Sequence, residues 1–93
     1  MDAVKLLANY ILCLEQSAAT TARAEDRPGY AQLLADAGPM LAAALESPAH
    51  SSMAIRISRH EKLWGNLWLQ DPAFCRASHA WQAARAACSR AAT

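Results

Sequence analysis

The apolar side of the first helix constrains the fold of this chain more than any other feature of its sequence. Near the N-terminus, apolar residues recur at the three- and four-residue spacing of one helical face: Val4, Leu7, Ile11, Leu14 and Ala18. This spacing predicts a helix over residues 2–22. A second apolar stripe beside it contains Leu6, Tyr10 and Cys13. The two stripes cover about half of the helix circumference, more than the ~100° that a surface helix needs. Such a helix is either central in the fold or covered on one side by another chain.

The size of the chain favours the second of these interpretations. A chain of 93 residues forms one domain, predicted here over residues 1–93, and its core is small for its surface. Alanine contributes 23 of those residues, and it forms helices readily while adding little apolar area. We therefore expect a homodimer. The predicted interface with a second copy or a partner consists of Leu6, Tyr10, Cys13 and Leu14.

Three more helices follow from the apolar periodicity and the turn residues. The second is predicted over residues 28–46, kinked or split at Gly38-Pro39, because Pro39 lacks the N–H that would bond to the carbonyl of Ala35. The third is predicted over residues 52–69, with a later start near residue 59 as the alternative. The fourth begins with Asp71 as N-cap and Pro72 in its first turn. The predicted fold is all-α, a small bundle of about four helices.

Charge is distributed unevenly along the chain. Residues 1–50 hold six acids and three bases, whereas residues 51–93 hold six bases and two acids. The two halves can pack on each other, or the basic half can bind an anionic partner. The third helix carries bases and aromatic residues of the types that are enriched where interfaces hold their binding energy. The possible partner-binding residues are Arg56, Arg59, Lys62, Trp64 and Trp68.

No motif for catalysis or cofactor binding is complete. His60-Glu61 begins like the zinc-protease motif H-E-x-x-H, but the second histidine is missing. Cys75 and His79 lie one helical turn apart and could touch one metal ion, whereas a structural zinc site usually takes four ligands, and nothing places His50 near them. The only three glycines, Gly29, Gly38 and Gly65, lie too far apart to form a glycine-rich loop that cradles phosphate. We expect no enzyme, no metal and no cofactor.

The sequence thus predicts a non-enzymatic protein-interaction module. It would be a homodimeric bacterial or phage regulator or inhibitor, of the anti-activator or adaptor type, acting on a partner such as a transcription regulator. The alternative is a nucleic-acid-binding regulator that uses the basic C-terminal half. The start of the chain lacks the basic residues of a secretory signal, and no apolar run is long enough for a membrane span, so we expect a cytoplasmic location.

Overall fold

The computed structural model describes residues 2–47 and 52–92, and every regular element within these ranges is helical. The α-helices are α1 (Ala3–Thr20), α2 (Arg27–Glu46), α3 (Met53–Leu63), α4 (Leu67–Gln70) and α5 (Cys75–Ala92), with 3-10 turns at Ala24–Asp26 and Pro72–Phe74. The all-α class is confirmed. A bundle of about four helices is roughly consistent with the structure, because α4 is a single turn.

Helix α1 lies at the centre of the bundle. Its largest contacts are with α5 and α2, which cover it from two sides. Leu7, Tyr10 and Leu14 are fully buried as a result. The wide apolar arc is therefore explained by two neighbours within the same chain, and it no longer requires a second copy. The dimer itself stays a prediction.

Helix α2 continues without interruption through Pro39, so a split at Gly38-Pro39 is wrong, whereas the alternative of a kink there stays a prediction. Pro39 and Ala35 both face solvent, where water can bond to the carbonyl that has lost its N–H partner. On the opposite side, apolar residues before and after the proline are buried in the same core, among them Leu33, Met40 and Ala44. Burial of one continuous face holds the two halves of the helix together.

The predicted third helix is interrupted. Helix α3 begins at Met53, so the later start near residue 59 is wrong, and the helix ends at Leu63. Gly65 follows with a φ of +53°, a left-handed conformation that glycine adopts at little cost. The single turn of α4 then leads into Asp71, which caps the next turn by accepting a hydrogen bond from the Ala73 amide at 3.0 Å. The predicted cap and the position of Pro72 are thus confirmed.

Alanine allows α5 to approach the central helix closely. Buried alanines recur on its inner side every three or four residues: Ala77, Ala80, Ala84 and Ala87. Trp81, Phe74 and Cys88 fill the larger spaces of the same face. At the start of the helix, the Ser17 hydroxyl of α1 donates a 2.6 Å hydrogen bond to the carbonyl of Ala73. None of the described helices is long and apolar enough to cross a membrane.

Candidate functional site

A chain of polar side chains crosses the middle of the core. His60 of α3 is fully buried, and both of its ring nitrogens are hydrogen-bonded. Its Nδ1 lies 2.9 Å from Oδ2 of Asp36 on α2, and its Nε2 lies 2.6 Å from the hydroxyl of Tyr10 on α1. The same hydroxyl accepts a hydrogen bond from Nε1 of Trp64 at 3.3 Å. These four residues, here called the buried relay, connect α1, α2 and the α3 region.

The partners of the relay determine where its protons lie. A carboxylate only accepts hydrogen bonds, so the Nδ1–H of His60 donates to Asp36 and Nε2 carries the lone pair. The Tyr10 hydroxyl then donates to Nε2, while its oxygen accepts from the Trp64 indole. Each donor has an acceptor when His60 is neutral. A proton on Nε2 would leave the Tyr10 oxygen facing two donors, with no described acceptor for its own hydroxyl proton.

Burial reinforces this protonation state. It lowers the pKa of His60 below its ordinary value, because desolvation penalises the imidazolium more than Asp36 and Glu61 favour it. Burial also raises the pKa of the Tyr10 hydroxyl, so that tyrosine stays protonated. Around the relay, the ring of Trp81 lies 4.7 Å from the His60 ring and 5.0 Å from the Tyr10 ring.

The relay resembles an acid-base arrangement only in the order of its groups. His60 and the Tyr10 side chain have no exposed surface, so no substrate can reach the histidine or the hydroxyl in this fold. His60 is neutral and enclosed, and its hydrogen bonds join α3 to α1 and α2, so it affects the packing of these helices. It holds α3 in register with α1 and α2, because a shift of α3 would leave buried donors without acceptors.

A second buried polar cluster surrounds Asp71. Its Oδ2 accepts hydrogen bonds from the hydroxyls of Thr21 at 2.6 Å and Tyr30 at 2.9 Å. Burial alone would raise the pKa of Asp71, but the bonds from Thr21, the Ala73 amide and Tyr30 together lower it. The carboxylate thereby connects the end of α1, the body of α2 and the turn before α5. Its role is structural.

The outward side of α3 differs from the two buried polar clusters, because it is open to solvent and basic. A shallow groove there is lined by short and long side chains: Ala54, Ile55, Ser58, Arg59 and Lys62. Ile55 is 69% exposed, a high value for an isoleucine. We call this surface the α3 groove. It combines exposed apolar area with cationic groups.

The predicted α1 interface falls mostly inside the single chain. Tyr10 and Leu14 have no exposed surface, and Cys13 is buried. Leu6 is half-buried and packs against the core. A second copy could reach Tyr10 and Leu14 only by displacing α2 or α5. A dimer that used α1 would therefore have to rely on Leu6 and its exposed neighbours.

The predicted partner-binding residues of the third helix separate into two groups. Arg59 and Lys62 are exposed and line the α3 groove, whereas Arg56 is half-buried and donates to the Ser52 hydroxyl at 3.1 Å. Trp64 is buried, where it packs edge-on against Phe74. Trp68 is 54% exposed on α4 and stays available for contact.

Sequence reasoning missed several residues that the structure makes important. Asp36 and Asp71 hold the buried clusters, but their partners are distant in sequence, and no local pattern shows the pairing. Ile55 and Leu69 are exposed, and the available signal was that both lie off the apolar stripe of their segment.

Metal binding has no support within residues 2–47 and 52–92, which contain no group of three potential ligands. Cys75 and His79 are both exposed on α5, and His50 lies outside the described residues.

Comparison with known proteins found no matching family model, no similar curated protein and no similar solved structure. The function is therefore argued from the geometry alone.

Proposed function

We propose that this protein is a non-enzymatic interaction module that binds a partner protein through the α3 groove and regulates or inhibits it, as adaptors and anti-activators do. The observation that carries the proposal is the exposure of Ile55 beside Arg59 and Lys62. An exposed aliphatic side chain costs solubility without adding to the core. Arginine, which lies beside it here, is one of the residue types enriched where protein interfaces hold their binding energy.

The location of the titratable groups supports a binding role over a catalytic one. The pKa shifts of His60, Tyr10 and Asp71 arise in enclosed hydrogen-bond clusters that join helices. Active sites place such groups in a cleft that a substrate can enter. Here the perturbed groups lie inside the scaffold, while the accessible α3 groove is lined by cations and apolar area.

We also propose that the chain acts as a homodimer in the cytoplasm of a bacterium or in a phage-infected cell. The basis is the small size of the domain and the exposed apolar residues that remain on its surface, including Leu45 and Leu69. Light scattering at tens of micromolar tests the dimer. A strict monomer at that concentration removes this part of the proposal and leaves the interaction module intact.

Affinity capture from a native lysate of the source organism tests the interaction role when it is compared across variants. The variant Ile55→Ser/Lys62→Glu alters the α3 groove at two exposed positions. The matched control Leu12→Ser/Lys5→Glu makes the same two kinds of change on the exposed side of α1. We expect a protein that is retained by the wild type and the control and lost with the groove variant. Equal retention by all three chains refutes the groove as the binding surface.

A nucleic-acid-binding regulator is the second candidate, and the bases of α3 are the observation that favours it. Cations on one helix face can neutralise phosphates. The exposed isoleucine argues against it, because a phosphate backbone gains nothing from apolar area. A gel shift at moderate salt tests this candidate, and tight binding that weakens steeply with salt would support it.

A further inference from the structure

The residues of the α3 groove form two rows along the exposed side of α3. Ala54, Ser58 and Lys62 follow one another at every fourth residue, and Ile55 and Arg59 form the adjacent row. Rows at this spacing are the ridges that interdigitate when two helices pack. The short side chains of Ala54 and Ser58 leave room between them for the side chains of another helix.

The other side of α3 is already occupied by the core. Met53, Ile57 and His60 are buried against the rest of the domain. Among the described residues nothing covers the groove side, where Ile55 is mostly exposed. A partner helix in the groove would therefore make α3 a middle layer, with apolar contact on both of its faces.

The charge of the groove selects the chemistry of that helix. Lys62 has no carboxylate at ion-pair distance among the described residues. Arg59 reaches Asp36 only at 4.0 Å, and the other oxygen of that carboxylate is bound by His60. The one acid of α3 itself, Glu61, pairs with Arg85 of α5 at 3.1 Å. Lys62 thus has no described carboxylate beside it, and Arg59 shares its one nearby carboxylate with His60.

We propose that the α3 groove binds an acidic amphipathic helix of the partner protein. Apolar side chains of that helix would cover Ile55, and its Asp and Glu side chains would meet Arg59 and Lys62. This inference rests on the proposed function and names the class of segment that the partner contributes. Electrostatic complementarity of this kind steers association and selects between partners.

The same groove fits the other occupants less well. A second copy related by a two-fold axis through this face would bring Arg59 and Lys62 against their own counterparts, which repel. Nucleic acid would match the cations but would cover Ile55 with a charged backbone. Only an acidic helix with an apolar stripe satisfies both the charge and the exposed isoleucine.

A pair of synthetic peptides tests the proposal. The first is a fluorescein-labelled helix with leucines on one face and glutamates beside them, and the second keeps the leucines but has lysine in place of every glutamate. Fluorescence anisotropy with the intact protein is expected to show saturable binding of the acidic peptide and at least about tenfold weaker binding of the basic one. Ile55→Ser and Lys62→Glu are each expected to weaken the acidic peptide about tenfold, whereas Leu12→Ser and Lys5→Glu leave it unchanged.

Several outcomes overturn the proposal. Equal affinity for the two peptides, or no saturable binding of the acidic one, removes the charge argument. Tighter binding of a 20-base-pair duplex that is insensitive to Ile55→Ser assigns the groove to nucleic acid. Self-association that Lys62→Glu changes assigns it to a second copy. A competition experiment separates this inference from the proposed function. If the groove variant loses a lysate protein that the acidic peptide does not displace from the wild type, the proposed function stands and the acidic helix is refuted.

Discussion

Removal of a single oxygen atom tests the buried relay. In Tyr10→Phe the ring keeps its place against Trp81, while Nε2 of His60 loses its donor and Nε1 of Trp64 loses its acceptor. Both nitrogens belong to buried side chains, so water does not readily replace the hydroxyl. An unsatisfied buried polar group costs about 1–3 kcal/mol. The Trp64 bond is long at 3.3 Å and should contribute near the lower end. We expect a total loss of roughly 2–4 kcal/mol in the free energy of unfolding.

Urea unfolding followed by far-UV circular dichroism at pH 7.5 measures this loss. Thr20→Ala is the matched control, since it also removes a hydroxyl, but one that donates to the Gln16 carbonyl at the exposed end of α1. The control should stay within about 0.5 kcal/mol of the wild type. The unfolding slope should be the same for all three chains, because the exposed area on unfolding does not change.

A double-mutant cycle with His60→Leu isolates the bond between the two side chains. If Tyr10 and His60 are coupled as the 2.6 Å distance indicates, the cost of Tyr10→Phe falls by about 1 kcal/mol or more in the His60→Leu background. A loss below about 0.5 kcal/mol for Tyr10→Phe alone, or full additivity in the cycle, would refute the relay as a source of stability.

Three further perturbations follow from the same structure. The free energy of unfolding should fall as the pH drops from about 7 to 5, because the unfolded chain protonates His60 near pH 6.5 while the folded state keeps it neutral to a lower pH. In urea titrations at both pH values, His60→Gln should remove part of this pH dependence and His79→Gln should not. An equal pH dependence in the two variants would contradict the assignment to His60. Asp71→Asn should cost about 2–3 kcal/mol in the same assay, since two hydroxyls and an amide donate to this carboxylate, and a neutral effect would mean that the cluster does not stabilise the fold. In thermal melts, Gly65→Ala should destabilise the fold by about 1–2 kcal/mol because of the positive φ at this position. Gly38→Ala should stabilise it by about 0.5–1 kcal/mol, because the added methyl group lies in the middle of α2 and meets nothing within 4 Å. The opposite order of stabilities would contradict the backbone assignment.

The local features of the fold were predictable because they depend on neighbours along the chain. Apolar residues and a histidine at helical spacing in the predicted third helix are buried, although the helix is interrupted at Gly65: Met53, Ile57, His60, Trp64 and Leu67. The cap at Asp71 followed from residue types whose preference is set by the first helical turn. The break at Gly65 was missed, because glycine within a helical pattern is usually tolerated and only the path of the chain requires its positive φ.

The accessible contact surface was only partly predictable. Arg59 and Lys62 were identified from their spacing on α3, and the structure places both at the groove. Trp64 was assigned to the same surface because aromatic residues serve cores and interfaces alike, and periodicity alone cannot separate the two uses. Ile55 received no role, although its exposure now carries the functional proposal.

The sequence by itself determined that this chain is helical and that the first helix has an unusually wide apolar side. Helical periodicity is a local property, so both statements needed only the order of the residues. What covers that side was decided by the tertiary structure, in which α2 and α5 enclose Tyr10 and Leu14 within one chain. The same is true of the bond between Tyr10 and His60, which are 50 residues apart. Pairings of this kind depend on how helices pack in space, and no spacing along the chain encodes them.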